Sequence, residues 1–157
     1  MESRLPARGF TLVELLVSIL ILSIGLLGSA GLQNVGITAS YSSLQRSQAS
    51  WLASDMADLL RANLPAARAG AYNAAFAEAG AGCPAVSGAT RAQLDLSQWR
   101  NAVCAALGGS GSGSVRVFRE GELYRVEIAV RWDDRRARER LVDGGERWET
   151  FAYRTAL

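Results

Sequence analysis

Glu14 is the residue of this chain with the strongest claim to do chemistry, because nothing local explains where it stands. It lies inside an apolar run, Phe10 to Leu32, whose only other polar residues are Thr11, Ser18, Ser23 and Ser29. A carboxylate in hydrocarbon costs roughly 2.5–3.5 kcal/mol on insertion scales, so such a residue is by default functional and needs a partner. Cys83 and Cys104 are the second candidate group. Two thiols without a histidine do not make a four-ligand structural zinc site. They can make one disulfide outside the cytosol, contributing about 3 kcal/mol, or remain a pair of free buried thiols. The apolar run upstream favours export and so the bridge.

Other constellations point away from catalysis. The chain has no His and no Lys, so all 17 basic residues are Arg. Ser-His and Cys-His nucleophile pairs are excluded, as are imidazole metal ligands. Asp133 with Asp134 and Glu120 with Glu122 have the residue types of acid–base pairs. They read better as solvated hairpin charges, and adjacent strand residues face opposite sides of a sheet. No catalytic residue, metal or cofactor is expected. The stretch 131–140, RWDDRRARER, carries Arg131, Arg135, Arg136, Arg138 and Arg140 and raises the possibility of nucleic-acid binding. Its interleaved Asp133, Asp134 and Glu139 offset the field that would attract phosphate, which favours a solvated loop. Net charge is only +2, so nothing global demands an acidic partner.

The elements that position these residues begin with the apolar run. As a helix, 23 residues span about 34 Å, enough for a hydrocarbon core of about 30 Å. Arg4 and Arg8 precede it, so the positive-inside rule holds residues 1–9 in the cytoplasm and sends the rest across. A cleaved secretory signal is one alternative, since Gly28-Ser29-Ala30 is small-x-small and a cut after Ala30 is feasible. The run is long for that, and Glu14 would then have no purpose.

Gly9-Phe10-Thr11-Leu12-Val13-Glu14, behind a short basic leader and ahead of an unbroken apolar helix, resembles the processing signature of type IV prepilins. The resemblance implies a cut between Gly9 and Phe10 by a prepilin peptidase, followed by N-methylation of Phe10. Glu14 then lies one helical turn from a new ammonium group. It is expected to pair with its own N-terminus or with that of a neighbouring subunit, the registry role for which buried ionic groups are best attested.

Beyond residue 32 the helical pattern continues. Leu52, Met56, Leu59 and Leu60 make an apolar stripe, with Leu44 and Trp51 also apolar and Ala49 and Ala53 filling in, and Asn63 and Pro65 mark the end. Gly25, Gly28, Gly31 and Gly36 predict a bend or local melting. Residues 64–114 read as a connecting region holding one helix, capped by Asp95 with Gln98 at the third position. Leu96, Trp99, Val103 and Leu107 line its face, and Gly108 ends it. GGSGSGS, residues 108–114, reads as a flexible linker. In 115–132 apolar residues alternate, predicting a hairpin whose Glu120-Gly121 turn pairs Val117 with Tyr124 and Val115 with Val126. Residues 148–157 form another strand, after a turn at Asp143-Gly144-Gly145.

The expected fold is α+β: a long N-terminal helix, transmembrane in its first half, packed on a small C-terminal antiparallel sheet. Its parts are a leader (1–9), a membrane and assembly helix (10–32) and a periplasmic headgroup (33–157). Within the helix, Trp51-Leu52-Ala53, Asp55-Met56 and Arg61-Ala62-Asn63 resemble PilV-type minor pilins, with Leu59-Leu60 departing from the more polar family pattern. That resemblance implies a non-enzymatic subunit of the inner membrane and then of the extracellular pilus, engaged in initiating assembly or in the tip complex, with adhesion and twitching motility as the processes served. Its implied partners are other minor and major pilins, the prepilin peptidase/N-methyltransferase, the inner-membrane assembly platform and a tip adhesin. A minor pseudopilin of a type II secretion system is the alternative, and a DNA-uptake subunit binding through 131–140 is a weaker one.

Overall fold

The computed structural model describes residues 10–78, 82–134 and 148–157. Helix α1 covers Leu12–Ala62, α2 Leu64–Arg68 and α3 Arg91–Leu107. Strands β1 (Ser112–Glu120), β2 (Leu123–Asp133) and β3 (Trp148–Ala156) form one antiparallel sheet in that order. The fold is α+β and pilin-like. The chain divides into two compact units, Met1–Ala39 and Ser40–Leu157, with the division falling inside α1.

In the first unit the helix is uninterrupted through Gly25, Gly28, Gly31 and Gly36, so the expected local melting is absent. Each of the four glycines costs roughly 1 kcal/mol relative to Ala, and the helix runs through all of them. None of the four glycines has a neighbour within 4 Å of where a Cβ would sit.

The core of the second unit joins α1 to the sheet. Ala49, Ala53, Met56, Ala57 and Leu60 of α1 are fully buried with Trp99, Val103, Val126, Ile128, Val130 and Trp132. The buried face of the helix is therefore richer in alanine than the leucine stripe suggested. Leu52 and Leu59 are only partly buried, Leu44 is half exposed, and Trp51 is 75% exposed. Small side chains keep the helix surface low enough to share the core with two tryptophans. Trp99 fills that space, and its indole Nε1 donates to the Leu52 carbonyl at 2.7 Å.

Three local expectations are corrected. Helix α3 starts four residues earlier than Asp95, at Arg91. Thr90 is its N-cap, with Gln93 completing a capping box in both directions. Asp95 is instead 3% exposed inside the helix, where it accepts from the Tyr72 hydroxyl at 2.8 Å and pairs with Arg91. Burial holds the Tyr72 hydroxyl above its usual pKa, and the Asn63 amide that donates to it opposes that shift.

Residues 112–114 are not linker but the first residues of β1, and Ser112 is buried. A Cβ at Gly113 would overlap the Trp99 ring, so this glycine is there for space and not for flexibility. Gly108 does end α3, with φ +83°.

The hairpin register lies two residues from the expected one, with Val117 opposite Val126 and Val115 opposite Ile128. The turn is Gly121-Glu122, with φ +63° at Gly121 and no positive φ at Glu122. That sign pattern is the type II′ turn, which takes Gly first. A shift of two preserves the faces, so the alternation of Val126, Ile128, Val130 and Trp132 inward holds.

On the outer face Glu127 stands directly between Arg116 and Arg154 and bonds both. Arg116, then Arg154, hold its carboxyl below the usual range. The outer edge of β1 is covered by residues 73 and 74: Ala74 exchanges both backbone bonds with Val115, and the Val117 N–H donates to Asn73.

Candidate functional site

The N-terminal segment starts its helix at a defined point. Thr11 lies just outside α1, its Oγ1 accepts from the Glu14 N–H at 3.2 Å, and its carbonyl accepts from the Leu15 N–H. Phe10 is non-helical and 85% exposed. Gly9 and the rest of the leader lie outside the described residues.

From Leu12 to Leu32 every side chain is exposed, the large apolar ones included. The most apolar 18-residue window of α1 has mean hydropathy 2.4, and by length and composition the helix suffices to cross a membrane. Ser18 and Ser23 donate their hydroxyls to the carbonyls four residues back, at 2.7 Å each, so neither brings an unmet donor into an apolar medium.

Glu14 is exposed on this surface. Among the described residues its carboxylate contacts no cation, and its backbone is engaged with Thr11 and Ser18. The pairing with a free Phe10 ammonium requires a cut chain, and Phe10 here is still within the polypeptide.

Cys83 and Cys104 form a disulfide with Cα atoms 5.3 Å apart. It fastens the loop before α3 to the helix. Asn101 on the same helix donates to the Pro84 carbonyl, and Ser97 accepts from the Ser87 N–H. Replacing both cysteines by serine is expected to remove about 3 kcal/mol, since the bridge closes a loop of some twenty residues. Thermal unfolding of the detergent-solubilised chain, with and without reductant, measures this. A melting temperature unchanged by the double substitution contradicts it.

The arginine-rich stretch divides. Arg131 lies on β2 with its guanidinium 4.4 Å from the Phe76 ring centroid and 5.2 Å from that of Trp148, and it donates to the Ala77 carbonyl. It is a latch holding the 76–77 segment onto the sheet. Arg135, Arg136, Arg138 and Arg140 lie outside the described residues, as does the Asp143-Gly144-Gly145 turn. Asp134 is buried and accepts from Ser42 at 3.4 Å, while Asp133 belongs to β2. Glu120 pairs with Arg125 at the hairpin end, where Glu122 occupies the turn.

The sequence reading missed the helix-capping role of Thr11. The signal was present as Thr-x-x-Glu ahead of an apolar run, the spacing of a capping box. No curated protein and no solved structure matches the chain. Residues 4–30 match the prokaryotic N-terminal methylation motif, and this prepilin-like signature ahead of an apolar helix and an α+β domain supports the type IV pilin superfamily.

Proposed function

We propose that the protein is a PilV-type minor pilin, a non-enzymatic subunit of a type IV pilus. The carrying observation is the methylation motif at residues 4–30 covering the start of an apolar helix whose side chains are all exposed from Leu12 to Leu32. That surface needs lipid before assembly and other apolar helices after it. Arg4 and Arg8 keep the leader in the cytoplasm, and the disulfide suits a headgroup in the periplasm. The prepilin peptidase cuts between Gly9 and Phe10 and methylates Phe10. The inner-membrane assembly platform then delivers the subunit to the fibre, where it meets minor and major pilins and a tip adhesin.

Trp51-Leu52-Ala53, Asp55-Met56 and Arg61-Ala62-Asn63 favour this subfamily over a minor pseudopilin of a type II secretion system. Trp51 is exposed on α1, free to meet another subunit. Deleting the gene separates the two: loss of pili with intact secretion supports the pilin, and the reverse supports the pseudopilin.

Intact mass spectrometry of protein extracted from the native membrane tests the processing. The expected mass is that of a chain starting at N-methylated Phe10 and two hydrogens short for the disulfide. A chain starting at Gly31 would make the apolar run a cleaved secretory signal and overturn the reading.

Glu14→Ala is expected to leave cleavage largely intact and to impair methylation or incorporation into fibres, because the Phe10 ammonium loses its partner in the apolar core. Fibre counts by electron microscopy check this, and normal incorporation speaks against the pairing.

A further inference from the structure

The start of α1 bears on how the leader is removed. Thr11 is an N-cap by both criteria: its Oγ1 accepts from the third helical residue, Glu14, and its carbonyl accepts the first intrahelical bond from Leu15. The same device opens α3 at Thr90 and Gln93. Here it stands one residue beyond the Gly9–Phe10 peptide, and Phe10 is outside the helix and 85% exposed.

A helix entering an apolar medium has unmet N–H groups at its start, which are costly there. Without a cap, the chain can answer them by winding another turn backward. No residue between Ala7 and Phe10 blocks this, since the nearest proline is Pro6. Such a turn would commit the Gly9 carbonyl to the Val13 N–H, four residues on. A peptide wound into that turn is withdrawn from the exposed, irregular form in which proteolytic cleavage concentrates. Hydrolysis needs the carbon open on one face, so that water adds, the C–N bond breaks, and a Gly9 carboxylate and a Phe10 ammonium result.

We propose, on the basis of the processing proposed above, that Thr11 is a positioning residue for leader cleavage. Its side chain starts the helix at Leu12 and leaves Phe10, the residue just after the proposed cut, outside it for the peptidase.

The test follows the full-length precursor in membranes with a co-expressed prepilin peptidase, reading precursor and cut chain by mass over time. Thr11→Val keeps the shape and removes the acceptor, and it should slow cleavage about fivefold, the factor an N-cap is worth. Thr11→Ser and Thr11→Asn restore a cap and should restore the rate to within about twofold. In micelles, the Phe10 and Thr11 carbonyl carbon shifts should move toward helical values in Thr11→Val alone.

Cleavage of Thr11→Val at the wild-type rate overturns the proposal. So does an asparagine variant as slow as valine, because the peptidase would then be reading the threonine itself. A wild-type chain left uncut by a peptidase that processes a control pilin overturns the processing reading first, and the role of Thr11 falls with it.

Discussion

Gly113→Ala is expected to destabilise the headgroup by about 2–3 kcal/mol, a large effect for one methyl group. Gly113 pairs with Val130 on the face of the sheet that meets the core, where its missing side chain makes room for Trp99. The ring has nowhere to retreat. It is 2% exposed, and its Nε1 is tied to the Leu52 carbonyl of α1. A methyl group at 113 must therefore push α3 away from the sheet or break that hydrogen bond. Thermal unfolding of the solubilised chain should show a fall of ~6–9 °C, with near-UV circular dichroism reporting the tryptophan. Gly109→Ala is the control, since no atom lies within 4 Å of its Cβ position, and it should change stability by less than about 0.5 kcal/mol. Trp99→Phe in the Gly113→Ala background relieves the overlap, so the two changes should cost less together than their sum. Equal melting temperatures for Gly113→Ala and Gly109→Ala would remove the spatial argument.

Gly9→Val is expected to leave the chain as uncut precursor, on the processing proposed above. The scissile carbonyl belongs to residue 9, and a β-branched side chain beside it places two methyl groups across the approach to the carbonyl carbon. Glycine has none. Mass spectrometry of the membrane fraction should then find the nine-residue leader still attached. The consequences extend to Glu14. Without a free Phe10 ammonium its carboxylate has no cation to meet in hydrocarbon, so the precursor should stay in the membrane and out of fibres. Gly9→Ala should be milder, because a single methyl leaves one side open. Cleavage of Gly9→Val at the wild-type rate and the same bond would contradict the assignment of the cut.

The legible part of this molecule was whatever rests on local, periodic or covalent signals. The apolar run of 10–32, the inward alternation of Val126 to Trp132 and the glycine that ends α3 follow from side-chain period and backbone freedom within a few residues. Glu14 stood out for the same reason, as one charge against a uniform background. The misread parts depended on partners distant in sequence. Asp95 has the type of an N-cap, but its buried carboxylate accepts from the Tyr72 hydroxyl, which itself accepts from the Asn63 amide, and no window around residue 95 reveals those partners. The composition of 108–114 is that of a linker, yet Gly113 is set by the ring of Trp99. The apolar stripe on α1 is displaced toward alanine because two tryptophans from other elements occupy the space. Sequence alone determined that a long helix, a further helix and a strand-rich tail follow in that order and which segment is apolar enough to seek a membrane, because those depend on residues adjacent in the chain. Only the tertiary structure decided which small residues make room for large ones and which polar groups are buried together, because packing is settled between elements and leaves no period in the sequence.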